Sequence, residues 1–160
     1  MNYKLNFLHK KLFECIDAQE KNWDSFIYAQ EKKFYQGFDE IGVDGCRSTE
    51  GRFNEYNILR YLSKEKNALD VGSNCGFFTL YASRFLKSIE GVEINPYLVR
   101  ISNYAKEYLG IKNSEFHNLS FESFKSEKKY DVIFSFANDE TIDGNTKFNF
   151  CEYIMKISSL

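Results

Sequence analysis

Proline occurs once in this chain of 160 residues, and histidine only twice. With His9 and His117 alone, a multi-histidine metal centre is excluded within one chain. None of the four cysteines, Cys15, Cys46, Cys75 and Cys151, forms a Cys-x-x-Cys pair or stands next to a histidine in sequence. The spacing of a zinc site is therefore missing, and the plain reading is free thiols in a reducing compartment. No apolar run approaches the roughly 18 residues that a membrane span requires, and the opening MNYKLNFLHK lacks the apolar core of a signal peptide. These absences lead us to expect a soluble, cytoplasmic protein with no membrane partner. Positive charge is not in excess either: 21 Lys and Arg against 23 Asp and Glu give a formal charge of -2. Such a balance offers no bulk attraction to phosphate polymers, so nucleic acid is disfavoured as a partner. Internal repeats and low-complexity tracts are also missing.

What is present is a core-forming composition, 43% hydrophobic and 18% aromatic, which excludes disorder. Apolar residues from Leu5 to Phe34 recur three or four apart, predicting one long helix or two abutting ones over residues 3–36. A glycine-bearing loop follows. Ser48 or Thr49 is placed to cap a short helix, with Glu50 in its first turn and Phe53, Tyr56 and Leu59 as its apolar face. From residue 67 the pattern alternates. Strands are expected over 68–71, 89–94, 115–118 and 130–137, and helices over 76–86, from Asn95-Pro96 to Gly110, and over 148–160. Alternation of this kind predicts an α/β fold: a mostly parallel sheet with helices on both faces, preceded by N-terminal helices. We expect residues 1–45 to form a helical cap and loop, and 46–160 the sheet-bearing domain.

The stretch ALDVGSNCGFFTL, residues 68–80, carries the chemistry. It sets Asp70, Gly72 and Gly76 at a strand-to-helix turn, where a parallel sheet binds ligands and a helix start offers free amides. Asp70 can receive a positive charge or hold the loop through hydrogen bonds. Glu93 stands 21 residues after Gly72, where a carboxylate in such folds accepts from ribose hydroxyls. The blander readings are a purely structural turn for the glycines and a helix-capping or surface role for Glu93. Cys75 reads as a small loop filler before it reads as a reactive thiol, and His117 as a polar strand end. A nicotinamide fingerprint would need glycine at 74 and 77, where Asn74 and Phe77 stand.

Asp70-Val71-Gly72-Ser73-Asn74-Cys75-Gly76 resembles motif I of the class I S-adenosylmethionine-dependent methyltransferases, with Asn74 in place of the middle glycine. GVEINPYLV resembles their second motif, YDVIFSFAND their fourth strand and following loop, and DGCRSTEGRFNEY the segment before motif I. The resemblance implies a Rossmann-like fold with S-adenosyl-L-methionine as cofactor. Asp70, Gly72, Ser73, Asn74 and Gly76 would surround its methionine part, Glu93 its ribose, and Ile94, Ser120 and Phe121 its adenine. Arg47 and Arg52 are candidates to grip its carboxylate, a task that suits a guanidinium fork. Asn138 and Asp139 would face the methyl acceptor, expected to be a small molecule or sugar, with Asp139 and then Glu140 as candidate bases. The alternatives are an inactive nucleoside-binding remnant and a nicotinamide-dependent enzyme. The family continues with three more strands. We therefore expect a truncated form lacking the family's C-terminal strands, or a piece completed by a second copy or another chain at an exposed fourth strand.

Overall fold

The computed structural model describes residues 3–23, 32–136 and 147–160. Helix α1, Tyr3–Asn22, buries Leu8, Leu12, Cys15 and Ile16 at helical spacing, and this face packs along a later helix. Helix α1 ends at Asn22, the expected helical residues Phe26 and Ile27 lie outside the described residues, and the far end of the expected span is not helical. Phe34–Gly37 is instead strand β1, paired in parallel with β2, Gly45–Ser48. Phe34 kept the helical spacing by coincidence. A close backbone approach decides the matter, since a Cβ on Gly45 would lie 2.3 Å from the backbone of Gln36 and Gly37.

Helix α2, Thr49–Glu55, begins as expected, with the Ser48 hydroxyl accepting from the Gly51 amide at 3.0 Å. Phe53 is buried, but Tyr56 and Leu59 stay exposed. The helix ends before them and Asn57 takes a left-handed conformation, which rotates the following residues off the helix face.

The main sheet comprises β3 (Asn67–Val71), β4 (Ser88–Glu93), β5 (Ser114–Asn118) and β6 (Val132–Ser135), all parallel in the order β5-β4-β3-β6. Between them run α3 (Phe77–Ala82), which continues into a 3-10 turn, and α4 (Pro96–Leu109), capped by the Asn95 side chain and closed by left-handed Gly110. Helix α5, Phe150–Ser159, starts with a reciprocal capping box between Asn149 and Glu152. Side-chain alternation gives the sheet two buried faces. Ala68, Ile89 and Phe134 face α2 and α3, while Leu69, Val71 and Val92 face Tyr153 of α5. The sheet is thus covered on both sides, as its apolar strands require.

The edge strand β6 is shorter than the expected 130–137. The Tyr130 amide goes to the Leu160 carbonyl and the Asp131 carboxylate accepts from the Asn67 amide, so the ladder with β3 begins after them. The expected boundary at residue 45 coincides with the first residue of β2, whose partner β1 lies on the other side of it. Leu8 and Leu12 also share an apolar cluster with Ile101 and Ala105 of α4. Among the described residues no helix is long and apolar enough to cross a membrane.

Candidate functional site

The sheet order reverses at β3: the chain steps outward through β4 and β5, then returns to β6 on the other side. Parallel sheets open a crevice at such a point, beyond the carboxyl ends of the strands. The turn from β3 to α3 lies there. Gly72, Asn74 and Gly76 all adopt positive φ, at 68°, 54° and 69°. Two glycines and an asparagine are the residues that enter this region at least cost. Asn74 therefore fills the middle glycine place of motif I without changing the path of the turn. The amides of Gly72 and Ser73 both donate to the Val92 carbonyl, at 2.9 and 3.0 Å. A Cβ on Gly76 would meet the Ser102 hydroxyl at 2.5 Å and the Phe116 ring at 2.6 Å, so the turn is pressed against α4 and β5.

Glu93, 9% exposed, closes the turn from the next strand. One carboxylate oxygen accepts from the Asn74 amide at 2.9 Å and the other from the Asn95 amide at 2.9 Å. Burial pushes this carboxyl up from its usual value, and the amide bonds pull it back down. Both sequence readings meet here, because Glu93 helps shape the start of α4 and also ties it to the glycine turn. A third amide, that of Ile94, also bonds to the carboxylate, which leaves about one of its roughly four acceptor positions for a further donor. Asn118 holds the adjoining backbone, donating to the carbonyls of Glu93 at 3.0 Å and Ile94 at 2.8 Å. Ile94 itself is 41% exposed, an apolar surface beside the carboxylate.

Asp70 is buried, with its carboxylate accepting from the Thr79 hydroxyl at 2.6 Å. Burial pushes its pKa up to about 7 against the opposing influence of Thr79 and Arg52. The acid thus holds β3 to α3, the second of its two sequence readings.

Gln36 was not legible as a site residue. Its Nε2 donates to the Ser73 carbonyl at 3.3 Å, and its Oε1 accepts from the Phe77 amide at 3.1 Å. Gly76 precedes α3 and has no side chain to cap it, so Gln36 supplies the cap from β1. A signal did exist: Phe34, Gln36 and Phe38 alternate at strand period, which marks Gln36 as a polar residue facing inward.

The remaining candidates divide. Ser73, expected around the methionine part, turns its hydroxyl into the core beneath the bend, where it finds no partner. Phe121, expected at adenine, packs its ring 5.2 Å from that of Tyr153 under α5. Ser120 bonds to Ser123 at 3.0 Å. Arg47 is a surface residue, donating to the Tyr56 hydroxyl at 2.9 Å. Arg52 is 5% exposed, with its guanidinium 5.3 Å from the Phe78 ring and 5.5 Å from the Phe136 ring. Burial raises the Cys75 thiol far above its usual range, which leaves an inert filler. His117 bonds to Glu90 at 2.7 Å. Glu90, Glu115 and His117 stand close enough to share a cation, yet Glu90 is already held by Lys128 and His117. Asn138, Asp139 and Glu140 lie outside the described residues. Phe77, in the third glycine place of a nicotinamide fingerprint, is fully buried against Phe38.

Comparison with known proteins agrees with this geometry. The family model described as a methyltransferase domain matches residues 62–160. The chain is 33% identical over 137 residues to malonyl-[acyl-carrier protein] O-methyltransferase 1 of Ilyobacter polytropus, covering 84% of this chain and 43% of that relative. Among solved structures it resembles a dimethyladenosine transferase from Plasmodium falciparum, with TM-score 0.57 and 15% identity, over 69% of this chain and 37% of that one. It also resembles an S-adenosylmethionine-dependent methyltransferase from Thiobacillus denitrificans in complex with S-adenosyl-L-homocysteine, with TM-score 0.54 and 14% identity, over 68% and 42% of the two chains. The chain thus spans less than half the length of each of these three proteins. With the matched domain covering well over half of its residues, the chain belongs to the methyltransferase-domain family, and its parallel sheet is that of the class I S-adenosylmethionine-dependent group.

Proposed function

We propose that the chain binds S-adenosyl-L-methionine at the β3–α3 turn and directs methyl transfer to a small-molecule acceptor. The observation that carries this reading is the tie between Glu93 and Asn74, which places a buried carboxylate against a glycine turn at the reversal point of the sheet. The residues fit such a ligand. Glu93 would accept from the ribose hydroxyls, exposed Ile94 would lie against the adenine, and the bend from Gly72 to Gly76 would follow the amino-acid end. Asp70 and Ser73 act on the ligand indirectly, by holding the bend in shape. When bound, the cofactor supplies a methyl group on a positively charged sulfur that is already a good leaving group. The protein's task is therefore to align donor and acceptor and to exclude water. A hydroxyl acceptor also needs a base, for which Asp139 comes first and Glu140 second in our reading.

The class of acceptor rests on the absence of a basic surplus; the Ilyobacter relative is named an O-methyltransferase of malonyl-[acyl-carrier protein]. We place the protein in the cytoplasm on the same sequence grounds. Among the described residues β6 pairs on one side only, and a strand from a second copy or another chain is our candidate for its other edge. Titration calorimetry with S-adenosylhomocysteine tests the cofactor reading. A saturable heat supports it, and no binding by folded protein overturns it.

A further inference from the structure

We propose that Gln36 is a positioning residue for Glu93, acting from outside the main sheet through the one peptide unit that joins Ser73 to Asn74. This deepens the cofactor reading, on which only the affinity arm of its test rests.

That peptide unit is held at both ends. Its carbonyl, on Ser73, accepts from Gln36 Nε2 at 3.3 Å, and its amide, on Asn74, donates to the Glu93 carboxylate at 2.9 Å. The Gly76 amide adds a local bond to the same carbonyl, also at 2.9 Å. A peptide unit turns as one plane, so swinging the carbonyl away from Gln36 swings the amide away from Glu93. The unit has a reason to swing. Rotation about its flanking bonds would take Asn74 from its φ of 54° back toward the negative values that residues with a side chain prefer. A backbone in this region persists where its surroundings over-determine it. Gln36 from β1 and Glu93 from β4 are the long-range part of that restraint.

Capping of α3 does not by itself account for Gln36. The Phe77 amide needs only an acceptor, which Oε1 supplies at 3.1 Å. The Nε2 donor serves a different group, a carbonyl inside the bend. With one N–H and one C=O to satisfy, only one orientation of the glutamine amide fits. The side chain is also well fixed. Gln36 is 4% exposed and pairs in register with Arg47 of β2. The Gly45 backbone approaches the Gln36–Gly37 peptide so closely that a Cβ there would lie 2.3 Å away. The other partners of the Glu93 carboxylate are the amides of Ile94 and Asn95, which follow it in the chain. Loss of the Asn74 amide therefore leaves that carboxylate tied only to its own strand end.

The test reads amide exchange by NMR on the ligand-free full chain, and nucleoside affinity by calorimetry. Gln36→Leu removes both bonds of the side chain. Gln36→Glu separates them, because its ionised carboxylate can accept from Phe77 but has no hydrogen for Ser73. In both variants the Asn74 amide should exchange at least about tenfold faster relative to the Leu69 amide of the central strand, which reports global opening. The Phe77 amide should stay protected in Gln36→Glu and lose protection in Gln36→Leu. Should Gln36→Leu fail to fold, Gln36→Glu carries both arms. For affinity the probe is 5′-methylthioadenosine, which keeps the ribose of the cofactor and lacks its amino-acid end. Gln36→Leu should weaken it about tenfold in the parent and less than about twofold in a Glu93→Ala background, the mark of two residues acting as one unit. If the parent binds no nucleoside, the cofactor reading fails and exchange at Asn74 still decides this one. Unchanged relative exchange at Asn74, an unchanged affinity in the parent background, or equal losses in the two backgrounds overturns the proposal.

Discussion

Glu93 accepts the backbone amide of Asn74 at 2.9 Å, so the acid closing β4 fixes the glycine turn that follows β3. Its other oxygen holds the Asn95 amide. Replacing Glu93 with Ala leaves two largely buried amides without acceptors, at a cost of about 1–3 kcal/mol for each. We expect Glu93→Ala to lower the urea midpoint and also to weaken S-adenosylhomocysteine at least tenfold in calorimetry. Lower stability with unchanged affinity would restrict Glu93 to a structural role.

Position 74 needs a left-handed backbone more than it needs a particular side chain. Asn74→Gly keeps that conformation and loses only the contact of the side-chain oxygen with the Cys75 amide. It should bind S-adenosylhomocysteine within a few-fold of the parent. Asn74→Val forces a β-branched residue to positive φ and should lose about 1–3 kcal/mol in chemical denaturation.

Gly76 is constrained twice, by its φ of 69° and by the space that Ser102 and Phe116 occupy. Gly76→Ala should cost about 3 kcal/mol or more, beyond the strain of the backbone alone. Thermal melts of Gly76→Ala with and without Ser102→Gly separate the two causes. The second change relieves part of the crowding and leaves the backbone strain.

Asp70 gives the fold a pH dependence. Its carboxyl titrates at about 7 in the folded chain against 3.8 as the ordinary value. Between those values the folded state binds more protons than the unfolded state, so this group's contribution to stability falls as pH rises from about 4 to about 7. Above the folded pKa the loss is complete. Asp70→Asn, which can still accept from Thr79, should flatten that slope and narrow the stability gap between pH 5 and pH 8 in urea melts. An unchanged slope would place the dependence elsewhere, Glu93 being the next buried acid with a raised pKa.

Gln36 holds the turn from outside the sheet. Gln36→Leu leaves the Ser73 carbonyl and the Phe77 amide unpaired, and should lower stability by about 2–4 kcal/mol. Gln36→Glu keeps the acceptor for Phe77 and should recover part of it. Hydrogen exchange at the Phe77 amide is the direct readout, fast in Gln36→Leu and slower in Gln36→Glu.

The sequence alone determined the alternation of strands and helices from residue 67 onward, the caps of α2 and α4, and the place of the glycine turn. Each depends on neighbours a few residues apart: Ser48 on Gly51, Asn95 with Pro96, Gly72 after Val71. Only the tertiary structure decided that Phe34–Gly37 is a strand, because its partner Gly45 and the turn that Gln36 braces are brought to it by the fold. It also decided which way two of the candidate side chains point. Ser73 and Phe121 stand in the right places along the chain, yet burial turns the hydroxyl of one beneath the bend and the ring of the other under α5. Spacing specifies where a residue sits on its own element, whereas the direction in which its side chain points is settled by what packs against it.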